Sequence, residues 1–106
     1  MSTSNKGGSA SQQHDLVPQI LAILSQTDPA RVYPTRMPDY EYQPVAWNLS
    51  ERLADAQSAA ELTDMLYEQC EVWLTIGAGS KSNYEEAGRQ IWTLWVDSQK
   101  KSTAKK

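Results

Sequence analysis

The amino-acid sequence predicts an all-α fold: a small bundle of about four helices, with a long proline- and tyrosine-rich loop after the first. Three observations carry that expectation. Apolar residues recur at the spacing of one helical face in four separate segments. Two segments open on a serine followed three residues later by glutamate, the form of a capping box. Finally, four prolines gather between residues 29 and 44, a stretch they bar from being a long helix or a central strand.

The first helix is expected over residues 15–26. Leu16, Ile20, Ile23 and Leu24 fall at i, i+4, i+7 and i+8, and Val17, Leu21 and Ala22 widen the face. Asp15 suits the N-cap, and Pro18 suits the first turn, where its missing N–H costs nothing. Asp28-Pro29 ends the helix, because a residue before proline disfavours the α region. Residues 29–44 then form a connection that is long for a compact domain. Tyr33, Tyr40, Tyr42, Val32 and Met37 make it too apolar for a free linker, so it should lie across the helices with some rings buried, as a core lid or as a binding element.

A second helix is expected over residues 45–56, with Val45, Leu49, Leu53 and Ala56 inward and Trp47 partly exposed near its start. Ser58-Ala-Ala-Glu61 opens the third. Leu62, Met65, Leu66, Gln69, Cys70, Trp73 and Ile76 lie near one side, Asp64, Glu68 and Glu71 on the other, and Gly77 is the natural stop. The β-prone run Val72–Ile76 is read as helix because the residues before it are strongly helical. Residues 77–82 read as a flexible turn. Ser82-Asn-Tyr-Glu85 opens the fourth helix, where Ala87, Ile91, Leu94 and Trp95 face inward and Trp92 lies on the shoulder. Gly88, inside that helix, marks the close approach of another helix or of the tyrosine loop, since it otherwise costs about 1 kcal/mol relative to alanine.

Composition sets the domain organisation. Residues 1–13 are polar apart from Met1 and Ala10 and are expected to be a disordered arm, with His14 at its edge. Residues 98–106, with four lysines, are expected to be a disordered tail following the helix. Residues 14–97 then form a single helical domain, too small to give up much of its core to a deep cavity.

Net charge is −3, but residues 39–75 hold eight acidic residues against one basic residue, Arg52. Such a stretch suits a basic protein surface better than nucleic acid, or is simply a solvated helix face. The N-terminus has no apolar core of a signal peptide, and no apolar run approaches the roughly 18 residues of a membrane span. With a single cysteine, Cys70, these features point to the cytoplasm and away from membranes.

Candidate chemistry is thin. Gly77-Ala-Gly-Ser-Lys-Ser82 resembles a phosphate-binding loop, but Ser80 and Thr75 stand where its two glycines should be. One cysteine and one histidine exclude a Cys/His zinc cluster within the chain. With His14 outside the expected fold, neither Cys70 nor any serine has a histidine base. Residues 49–62 can be drawn as a helix-turn-helix, yet its reading helix would carry Glu61, Asp64, Glu68 and Glu71 and would repel phosphate. No catalytic residue, metal or cofactor is therefore expected.

The aromatic inventory is the remaining signal: four tryptophans, five tyrosines and no phenylalanine. Tyr, Trp and Arg are enriched at binding hot spots, although large rings also serve to fill a thin core. The expected function is a non-catalytic accessory or regulatory protein. It would bind another protein with a basic surface, or a second copy of itself, through Arg31, Tyr33, Arg36, Tyr40, Tyr42, Trp47 and Trp92. Two alternatives stand beside it. One is an adaptor in a nucleic-acid complex, with the lysine tail on the polymer; the other is a small enzyme or ligand carrier with a closed apolar pocket.

Overall fold

The structure, a computed structural model, describes residues 13–104 apart from Thr75, with side chains as far as residue 100. It is all-α, and no strand occurs among the described residues. The helices are α1 (Val17–Thr27), α2 (Pro38–Glu41), α3 (Gln43–Ser50), α4 (Ala59–Trp73) and α5 (Glu85–Ala104). Two 3-10 turns, Leu53–Asp55 and Lys81–Tyr84, precede α4 and α5.

The expected arm boundary moves. Residues 13–15 are helical and lead into α1, and the Gln13 side-chain amide donates to the Ser50 carbonyl at 2.8 Å. Leu16, not Asp15, holds the N-cap position, without a side-chain bond. Expectations for residues 1–12 lie outside the described residues. At the other end α5 is described as far as Ala104. Lysines near a helix C-terminus are favoured by the backbone dipole, which is the local reason the helix continues. Residues 105–106 lie outside the described residues.

The long loop is also shorter than expected. Pro38 and Pro44 each sit in the first turn of a helix, where proline's fixed φ and missing N–H are harmless. These prolines start helices, and only residues 28–37 form an irregular crossing. The second expected helix splits into α3 and the Leu53–Asp55 turn, while Val45, Leu49, Leu53 and Ala56 all remain buried.

The Ser58 cap forms: its Oγ accepts from Glu61 N–H at 3.1 Å, while Glu61 Oε1 reaches back one residue past the cap and accepts from Gln57 N–H at 2.9 Å. The one expected at Ser82 does not. The chain enters α5 through a 3-10 turn from Ser80, with no side-chain cap. The glycine turn before it is less loose than expected. Ala78 is buried, Tyr67 Oη donates to Gly79 O at 2.9 Å, and Tyr84 Oη donates to Ala78 O. The two rings meet edge to face with centroids 5.2 Å apart.

One core holds these elements. α4 lies along α5, α1 packs on α3 and α5, and α3 packs on α4. Ile20 and Leu24 of α1, Leu62, Leu66 and Cys70 of α4, and Ala87 and Ile91 of α5 meet inside. At Gly88, α5 approaches α4 closely. A Cβ there would stand 1.9 Å from Thr63 Oγ1 and 3.1 Å from Thr63 Cα.

Candidate interaction surface

Asp28 and Tyr42 position the surface. Asp28 takes a left-handed conformation with φ of 43°, and its N–H closes α1 onto Leu24 O at 2.8 Å. Its carboxylate accepts from Val32 N–H at 2.9 Å, Tyr33 N–H at 3.1 Å and Tyr42 Oη at 2.8 Å. Tyr42 Oη in turn accepts from Ala30 N–H at 2.9 Å. The ring of Tyr42 is fully buried, and desolvation pushes its phenol well above the ordinary range. Tyr42 is therefore not a surface residue, contrary to expectation. It ties the crossing segment to α3.

With Tyr42 anchored inward, Tyr40, two residues earlier in α2, points out and is 74% exposed. Trp47 on α3 is 47% exposed and Trp73, the last residue of α4, 45%. These three rings line two open slots. Tyr40, Glu41, Gln43, Pro44 and Trp73 form the first, of about 310 Å³. Trp47 forms the second, of about 570 Å³, with Val17, Pro18, Leu21, Asn48 and the same Gln43 and Pro44. Gln43 and Pro44 are thus the shared wall.

Trp73 was expected on the inner side of its helix, as was Ile76. The helix ends at Trp73, and the extended Leu74 takes the next buried position instead. Trp73 and Ile76 are left exposed, and the Trp73 indole N–H donates to Gln69 Oε1 at 3.0 Å. The signal that could have found Trp73 is the run Leu62, Leu66, Cys70, which at i+4 continues to 74.

The remaining expected site residues are dispersed. Tyr33 is exposed but lines neither slot. Trp92 is half-buried against the core and lines neither. Arg31 donates to the Asp28 carbonyl at 3.1 Å, and Arg36 pairs with Glu41 at 3.5 Å. His14 belongs to the fold rather than to an arm. Its ring stacks on Trp47 with centroids 4.1 Å apart, and its Nε2 lies 3.0 Å from Glu51 Oε2. The acidic side chains Asp64, Glu68 and Glu71 are exposed as expected, with Asp64 paired to Lys81.

Cys70 is buried beside Tyr84, and burial pushes its thiol up to about 12. No cluster of His, Cys, Asp and Glu suited to a metal ion occurs among the described residues. No helix among them is long and apolar enough to cross a membrane. Fold and surface together define a small helical domain with paired aromatic slots. The chain matches no protein-family model, and comparison with curated proteins and solved structures gives no significant match.

Proposed function

We propose that this chain is a non-catalytic protein that binds another protein through the surface shared by α2, α3 and the end of α4. The observation that carries the reading is the two adjacent slots walled by Tyr40, Trp47 and Trp73. Tyr and Trp offer large, rigid apolar area at low entropic cost, and three such rings on one surface are the composition of a binding hot spot. The slots are open clefts between surface side chains rather than enclosed cavities. No buried side-chain polar atom among the described residues lacks a hydrogen-bond partner.

The test is capture from native lysate by the wild type, by Tyr40→Ala/Trp73→Ala, and by Tyr33→Ala, whose ring lines neither slot. Circular dichroism confirms that each is folded. A partner held by the wild type and Tyr33→Ala, and lost by the folded double variant, supports the reading. Equal capture by all three overturns it. Rising salt separates this contact from one made by the lysines at the end of α5 to a polyanion, which weakens steeply with salt.

A further inference from the structure

Resting on the protein-binding reading, we infer that the protein seated on the two slots is a second copy of this chain, related by a two-fold axis, with Tyr40 of each copy entering the second slot of the other. The face carries both a projecting ring and a place for one. Tyr40 is exposed on the rim of the first slot, and Gln43 and Pro44, which line both slots, stand between it and the second. The second slot, of about 570 Å³, is walled by the Trp47 ring, Pro18 and Leu21. Asn48 also lines it; its amide nitrogen donates to Pro44 O at 2.7 Å, and its side-chain oxygen can accept from a phenol hydroxyl. A two-fold axis lying in the contact plane, midway between ring and slot, brings each ring over the opposite slot. No separate spacing has to match, because the same separation occurs in both copies. Gln43, exposed near the axis, meets its own copy there, and an amide, donor and acceptor at once, can pair with another amide.

Charge fits a like partner. Val17–Thr27 and Gln43–Ser50 contain no charged residue, and no charged side chain lines the second slot. Glu41, in the first slot, is paired with Arg36 at 3.5 Å. In the two-fold arrangement the first slot lies over the uncharged second slot of the other copy, so the two Glu41 side chains do not face each other. Charged residues are depleted in the cores of interfaces, and homodimer interfaces are the more apolar ones. Area sets the strength. At about 150–250 Å² per buried ring, what Tyr40, Trp47 and Trp73 expose comes to about 300 Å², and symmetry doubles it to about 600 Å². The aliphatic and amide walls add to this, but the total stays near the low end of the roughly 1,200–2,000 Å² of a stable complex. The expectation is therefore a monomer–dimer equilibrium rather than a permanent dimer.

The test is analytical ultracentrifugation of the full chain from about 1 μM to about 1 mM, the range of affinity such an area reaches. The wild type should pass from monomer to dimer across it. Its Kd should change less than about twofold between about 50 and 500 mM salt, since the contact holds no ion pair. Tyr40→Lys should raise the Kd about tenfold or more. An equal mixture of Tyr40→Lys and Asn48→Asp should dimerise more tightly than either variant alone, because the new cation of one copy meets the new anion of the other while one original ring and slot remain. Neither position is buried, and circular dichroism confirms that each variant is folded. A dimer that Tyr40→Lys leaves intact, or a mixture no tighter than its components, overturns the inference. So does a wild type that stays monomeric at about 1 mM. In that case a lysate protein captured by the wild type and lost by Tyr40→Ala/Trp73→Ala leaves the protein-binding reading standing with another occupant, and equal capture by all variants overturns both.

Discussion

Tyr40 and Tyr42 lie two residues apart, share a side-chain type, and do opposite work. Tyr42 is buried between Ala30 N–H and the Asp28 carboxylate, while Tyr40 stands in solvent. Tyr42→Phe keeps the ring but leaves the Ala30 N–H without its acceptor, a loss of about 1–3 kcal/mol. Tyr40→Ala removes no buried contact and should stay within about 0.5 kcal/mol of wild type. Urea unfolding of both variants checks the contrast; equal destabilisation would contradict the assigned roles. Cys70 gives a second test at this scale. Buried, with its thiol pushed up to about 12, it should react with a thiol reagent only after opening of the fold. The rate of labelling near neutral pH should rise sharply in urea.

At the scale of elements, the contact between α4 and α5 is set by one missing side chain. Gly88→Ala returns about 1 kcal/mol of helix propensity. The added Cβ, however, overlaps Thr63 Oγ1 and crowds the α4 backbone itself, and overpacking of that kind costs about 1–3 kcal/mol. The expected outcome is net destabilisation, read as a lower thermal midpoint. At the start of α4, Ser58→Ala removes the bond to Glu61 N–H and should cost about 1 kcal/mol. Ser82→Ala should cost far less, because α5 begins through a 3-10 turn with no side-chain cap. Comparing the two serine variants by the same denaturation curve distinguishes a cap that forms from one that only the sequence suggests.

For the whole molecule, three buried acids link stability to alkaline pH. Desolvation is the leading cause that raises Tyr42, Tyr84 and Cys70 above their ordinary values of 10.0, 10.0 and 9.0. Below about pH 8 all three are essentially neutral whether the chain is folded or not, and their contribution is complete. As pH rises further, the unfolded thiol and phenols ionise while the folded ones keep their protons. The unfolded state then binds fewer protons, so stability falls with pH. Each group contributes a slope of about 1.4 kcal/mol per pH unit between its unfolded and folded values. Urea midpoints measured from about pH 8 to pH 11 should fall with increasing steepness. Tyr42→Phe should flatten the fall, since it removes one of the ionising groups. A pH-independent midpoint would contradict the burial of these groups.

What the sequence by itself determined is what local interactions determine: the all-α class, the approximate places of α1, α3, α4 and α5, and the buried positions Ile20, Leu24, Val45, Leu49, Leu62, Leu66 and Ile91. Periodicity and the Ser58 cap act within a few residues of chain, so they are legible without a fold. The close approach at Gly88 was legible for the same reason, since a glycine in a helix needs an explanation. Of the three rings that line the slots, Tyr40 and Trp47 are singled out by the sequence alone, and Trp73 is not. Only the tertiary structure decided the rest. Periodicity assigns a face to each helix but does not say where the helix stops or what distant segment covers that face. Trp73 is exposed because α4 ends there and Leu74 turns in. Tyr42 is buried because a carboxylate and an amide fourteen and twelve residues earlier meet its hydroxyl. His14 joins the fold because Trp47 and Glu51, far along the chain, receive it. Whether an aromatic ring becomes core or surface is settled by such non-local partners.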